Sequence, residues 1–88
     1  MVYLFLAPGF EESEAIVPAD LLRQAEVETA LVSLSGKTVS GSHGITVEAD
    51  LELPQVDLDR AEMLVFPGGG VGVENLWNDS RVSALIQE

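Results

Sequence analysis

Val2 to Ala7 is an unbroken apolar run closed by Pro8-Gly9, the pattern of a strand covered on both faces inside a parallel sheet. The acids Glu11, Glu12 and Glu14 follow, and then Ala15 to Ala25, where Ile16, Ala19, Leu22 and Ala25 recur at helical spacing. Pro18 suits such a helix only near its first turn, because it brings no N–H and crowds the preceding turn. Val27 to Ser33 is β-branched enough to predict a second strand. A helical crossover between two neighbouring strands makes them parallel and the connection right-handed.

Ser35-Gly36-Lys37 and Gly41-Ser42-His43-Gly44 are turn signals around Thr38 to Ser40 and Ile45 to Glu48, which predicts a short antiparallel ribbon. Leu51 to Asp59 carries Pro54 and three acids and reads as a surface connection. Met63 to Phe66 is a further buried strand, followed by helical pieces at Gly72 to Trp77 and Ser80 to Glu88, the second with Ser80 as N-cap. No repeat or linker divides the chain. The order is the opening half of a doubly wound, flavodoxin-like α/β sheet: three parallel strands, a β-ribbon and two or three helices. A sheet of this class continues, so the strands at Val2 to Ala7 and Met63 to Phe66 both call for neighbours.

Composition narrows the function. Fifteen acids against four bases give a net charge of −11, which repels nucleic-acid phosphates and anionic membrane surfaces and argues for neither as a partner. The absence of cysteine removes disulfides, thiolate metal sites and a cysteine nucleophile from these 88 residues. The apolar start lacks a basic flank and breaks at Pro8-Gly9, so it reads as neither a signal peptide nor a membrane span, and a cytoplasmic location is the default expectation.

The densest chemical signal is Phe66-Pro67-Gly68-Gly69-Gly70-Val71-Gly72 with Asn75-Leu76, a glycine turn directly behind a predicted strand. Backbone without Cβ atoms brings N–H groups close to a bound oxygen, as an oxyanion hole requires. A dinucleotide fingerprint would need glycine at Asn75 and a later acid, and Gly36-Lys37-Thr38 lacks the upstream glycine of a P-loop. A plain structural turn is the alternative. Glu11, Glu12 and Glu14 stand where the first strand hands over to its helix, at the carboxyl edge where open α/β sheets bind ligands. They complement the helix dipole, or one carboxyl points inward, where desolvation raises its pKa and lets it donate a proton. His43 reads as a solvated loop residue, with no spacing that pairs it with Ser13 or Ser42 in a triad. Neither a metal site nor a cofactor is expected.

Taken together, Leu6-Ala7-Pro8-Gly9-Phe10-Glu11-Glu12-Ser13-Glu14 with Ile16 to Arg23 behind it, Gly41-Ser42-His43-Gly44-Ile45, and the glycine turn resemble the ThiJ/PfpI superfamily of class I glutamine-amidotransferase-like proteins. That group includes a parkinsonism-associated deglycase and the intracellular protease PfpI. The resemblance spans residues 1–88 and implies the N-terminal half of one such domain. It implies that the protonated carboxyl of Glu14 hydrogen-bonds the sulfur of a nucleophilic cysteine and tunes its reactivity, and that Gly69 N–H is an oxyanion donor, with Gly68 and Gly70 permitting the geometry. It places His43, at a position often Arg or His, on a ribbon that lies near the partner subunit's active site in the usual homodimer. Relatives run to about twice this length, with the cysteine beyond the position of Glu88, so the chain is expected to be a cleavage product, a split-gene product or a truncated form that pairs with a complementary C-terminal fragment. Glu26 stands where relatives commonly have a helix-ending glycine. Deglycation, glyoxal hydration or amide hydrolysis of a small-molecule substrate is the implied chemistry, and a non-catalytic, self-associating or anion-binding module is the alternative.

Overall fold

A computed structural model describes residues 1–34, 36–68 and 70–82. Its elements are β1 (Val2–Leu6), α1 (Glu12–Gln24), β2 (Thr29–Ser33), β3 (Thr38–Ser40), β4 (Thr46–Glu48), β5 (Leu51–Glu52), β6 (Met63–Val65) and α2 (Gly70–Asn78), with 3₁₀ turns at Leu53–Gln55 and Leu58–Arg60. β5, β2, β1 and β6 form a parallel sheet in that order, and β3 and β4 form a separate antiparallel ribbon.

The unbroken apolar run of β1 is buried along its whole length because both its faces and both its edges are covered. Tyr3 and Phe5 join Ala30, Val32, Leu53, Leu76 and Val82 on one face. On the other, Leu4 and Leu6 join Phe10, Ala15, Ala19, Leu31 and Val39. Helix and ribbon thus cover one side, and α2 with the segment after β5 covers the other, the layered arrangement expected of a doubly wound sheet. No helix among the described residues is long and apolar enough to cross a membrane.

Several local expectations are corrected. The connection predicted from Leu51 to Asp59 contains β5, which pairs in parallel with β2, and Leu53 is buried beneath it. The parallel strands therefore number four among the described residues. The added pairing is organised by Asp50, whose Oδ2 accepts from Leu31 N–H at 2.8 Å and from Arg23 Nη2 at 2.6 Å. β1 already has neighbours on both sides, and the edge strands among the described residues are β5 and β6, the latter with Met63 56% exposed.

Helix α1 starts three residues before the predicted apolar stretch, with Glu11 as N-cap and Ser13 N–H donating to its side chain at 3.3 Å. Pro18 consequently lies inside the helix, which leaves the Glu14 carbonyl without its usual N–H donor. The inward stripe is Glu12, Ala15 and Ala19, while Ile16, Val17 and Leu21 face outward. Beyond α2, Asp79 and not Ser80 caps the next turn: its Oδ1 accepts from Arg81 N–H at 2.8 Å. Residues 83–88 of the helix expected from Ser80 lie outside the described residues.

Candidate active site at the carboxyl edge of the sheet

Three segments meet beyond the carboxyl ends of β1 and β6. The loop from Ala7 to Glu11 is held from one side by the glycine turn: Glu11 N–H donates to Gly68 O at 2.9 Å and Gly72 N–H to Gly9 O at 3.1 Å. Asn75 Nδ2 donates to Pro8 O at 2.7 Å. From the other side the ribbon grips the same loop, with Gly9 N–H donating to Ser40 O and Ser42 N–H to Phe10 O, both at 2.9 Å.

Glu14, in the first turn of α1, is exposed and sets its carboxyl against Gly68, in the space a Cβ on that residue would need. A Cβ there would displace the carboxyl from this position. Gly70 opens α2, whose first-turn N–H groups have no partner within the helix. That of Gly72 is committed to Gly9 O. The expected oxyanion donor, Gly69, lies outside the described residues.

The inward-pointing acid is Glu12, only 6% exposed. Its Oε2 accepts from His43 N–H at 2.8 Å and Ile45 N–H at 3.2 Å. Its Oε1 accepts from Ser42 Oγ at 3.4 Å and lies 3.0 Å from His43 Nδ1. Gly41 has no Cβ because the Glu12 carboxyl stands in its place, with Oε2 2.5 Å from where that atom would be. Burial pushes the Glu12 pKa up, but the His43 side chain and the backbone N–H groups outweigh it and bring the pKa to about 2. The expectation that an inward carboxyl becomes a proton donor therefore fails for this residue, since hydrogen bonds to the charged form win over desolvation.

His43 is exposed at its ring yet tethered: Glu12, then the charges of Glu11 and Glu12, raise its pKa above the usual histidine value. The ring also meets Ser42 Oγ at 3.2 Å, a contact that spacing alone did not suggest. Ser42 and Glu12 approach the same nitrogen, whereas a serine triad uses opposite nitrogens for nucleophile and acid. Glu11, Glu12 and His43 bring ligand-type atoms within 4.8 Å of one another. A metal there would compete with the donors already held by Glu12.

Glu12 was one of three acids singled out in the sequence without a choice among them, and Gly41, Gly72 and Asn75 were given no site-building role there. A usable signal existed: glycines on both sides of Ser42-His43 opposite an acid at the start of a helix.

The sequence matches the DJ-1/PfpI family over residues 1–88. It is 35% identical over 85 residues to protein dj-1beta of Drosophila melanogaster, covering 96% of this chain and 46% of that protein. It is 36% identical over 70 residues to deglycase PfpI of Pyrococcus furiosus, covering 78% of this chain and 42% of that protein. The fold superposes on the crystal structure of Drosophila melanogaster DJ-1beta with a TM-score of 0.92 and 34% identity, covering 98% of this chain and 47% of that one. This chain thus spans about half the length of the relatives it matches. The chain belongs to the DJ-1/PfpI family.

Proposed function

We propose that these residues supply the N-terminal half of a cysteine-dependent site of deglycase or glyoxalase type, and that a C-terminal segment carrying the cysteine completes it. The observation that carries this reading is the placement of the Glu14 carboxyl over Gly68, at the sheet edge where the glycine turn and the β1–α1 loop are locked together. In the assembled site the thiolate attacks a substrate carbonyl carbon, and the carbonyl electron pair moves onto oxygen. The Gly69 N–H receives that oxyanion, and Gly68 and Gly70 give the turn the freedom to aim it. Glu14 donates the O–H of its carboxyl to the sulfur and so favours the thiolate. Amide hydrolysis uses the same parts.

The cysteine-bearing segment covers the bare flank of β6. A second copy covers the exposed apolar residues Ile16, Val17 and Ile45 beside His43, giving a homodimer of the assembled unit.

Intact mass spectrometry with light scattering tests the assembly: a cysteine-bearing segment bound to this chain is expected, and a soluble monomer of this chain alone would defeat the reading. For chemistry, the assembled protein is expected to consume methylglyoxal and Glu14→Ala to slow it. Equal rates in the two would remove Glu14 from the site.

A further inference from the structure

We propose that His43 is an acid–base group presented through Nε2, with Glu12 as the positioning residue that sets its tautomer. The inference rests on the ribbon tip belonging to the assembled site of the preceding reading. Glu11 links the two structurally, since its N–H donates to Gly68 O at 2.9 Å while its Oε1 lies 3.9 Å from His43 Nδ1.

An ionised carboxylate only accepts, so the ring nitrogen 3.0 Å from Glu12 Oε1 carries the hydrogen. In the neutral ring the lone pair then resides on Nε2. The same carboxylate holds the backbone N–H groups of His43 and Ile45, and Gly41 leaves it room, so ring and ribbon are fixed by one buried group. This is the orienting half of the triad arrangement, acid to Nδ1, with Nε2 left to meet the substrate. Ser13, Ile16, Val17 and Ile45 line the surface beside the ring, where the second copy of the preceding reading packs, and Glu11 and Glu12 are the other titratable groups facing it among the described residues. In turnover Nε2 takes a proton from a substrate or water O–H, the imidazolium is held by the Glu12 carboxylate, and the proton is returned in the next step.

Glu12→Gln in the full protein separates positioning from scaffolding. The amide oxygen can keep the two backbone N–H groups while the amide nitrogen faces Nδ1, which must then accept. The ribbon stays and the tautomer reverses. Nitrogen-15 shifts of the His43 ring are expected to report Nδ1–H in the wild type and Nε2–H with a lower pKa in the variant, with ribbon amide exchange unchanged. An Nε2–H ring in the wild type, or no reversal with the ribbon intact, overturns the proposal. His43→Gln, which leaves the Glu12 backbone contacts available, is expected to lower kcat for methylglyoxal by about 10²-fold or more with KM held, and to abolish one limb of the pH profile. Unchanged kcat and profile would refute the acid–base role. A wild type without turnover that still shows the tautomer reversal contradicts the enzyme reading and supports the Glu12–His43 assignment.

Discussion

The carboxyl of Glu14 fills the volume that a side chain on Gly68 would occupy, its Cδ lying 3.0 Å from the position of a Cβ there. Glu14 is exposed and can swing away, so Gly68→Ala is expected to change stability by no more than about 0.5 kcal/mol. It is expected to displace the carboxyl and cut turnover of the assembled protein. Thermal unfolding and methylglyoxal consumption measured on the same sample check this, and full activity at unchanged melting temperature would contradict it.

Gly72 makes the opposite prediction. A Cβ there would meet backbone, 2.6 Å from Phe10 Cα and 2.8 Å from Phe10 N, and the backbone cannot rotate out of the way. Gly72→Ala is expected to push α2 off the β1–α1 loop at a cost of about 1–3 kcal/mol, read by denaturant unfolding. A smaller loss than Gly68→Ala would show that the loop and α2 are not packed as described.

The Glu12–His43 clasp defines a pH window. The Glu12 pKa falls from 4.5 to about 2, so its contribution is complete above about 4.5 and disappears as pH drops toward 2. The His43 pKa is raised from 6.5, so its contribution is complete below 6.5 and disappears as pH rises through the higher folded value. The ribbon tip is expected to be best protected between pH 4.5 and 6.5 and to loosen on both sides, measured by amide exchange at Ile45. In Glu12→Gln the acid-side loss is expected to vanish.

Helix α1 ends on a strained residue. Glu26 has φ +62°, the left-handed region, and the turn closes with Glu26 N–H to Arg23 O at 3.0 Å and Val27 N–H to Leu22 O at 2.9 Å. Left-handed backbone costs a residue with a Cβ roughly 1–2 kcal/mol, partly offset in glycine by greater freedom when unfolded. Glu26→Gly is expected to raise stability by about 1 kcal/mol in thermal unfolding. A loss would mean that another contact holds this turn.

Elements whose pattern is local were legible in the sequence: the run of β1, the ribbon flanked by turn residues, the acids at the head of α1 and the glycine turn after β6. β5 was not, because two residues carry no periodicity and its pairing is organised at a distance by Asp50, Leu31 and Arg23. Choosing the inward acid needed the helical phase, which starts at Glu12, whereas the apolar spacing began at Ala15. Burial of Glu12 further depends on the space left by Gly41, 29 positions away along the chain.

The central claim is that Glu14 tunes a sulfur held beside the glycine turn, and the pH dependence of cysteine alkylation in the assembled protein tests it most directly. Loss of a hydrogen bond to a charged group, worth about 1.5–3 kcal/mol, predicts that the alkylation midpoint of Glu14→Ala lies roughly 1–2 pH units above that of the wild type. Superimposable profiles for the two proteins would contradict the account.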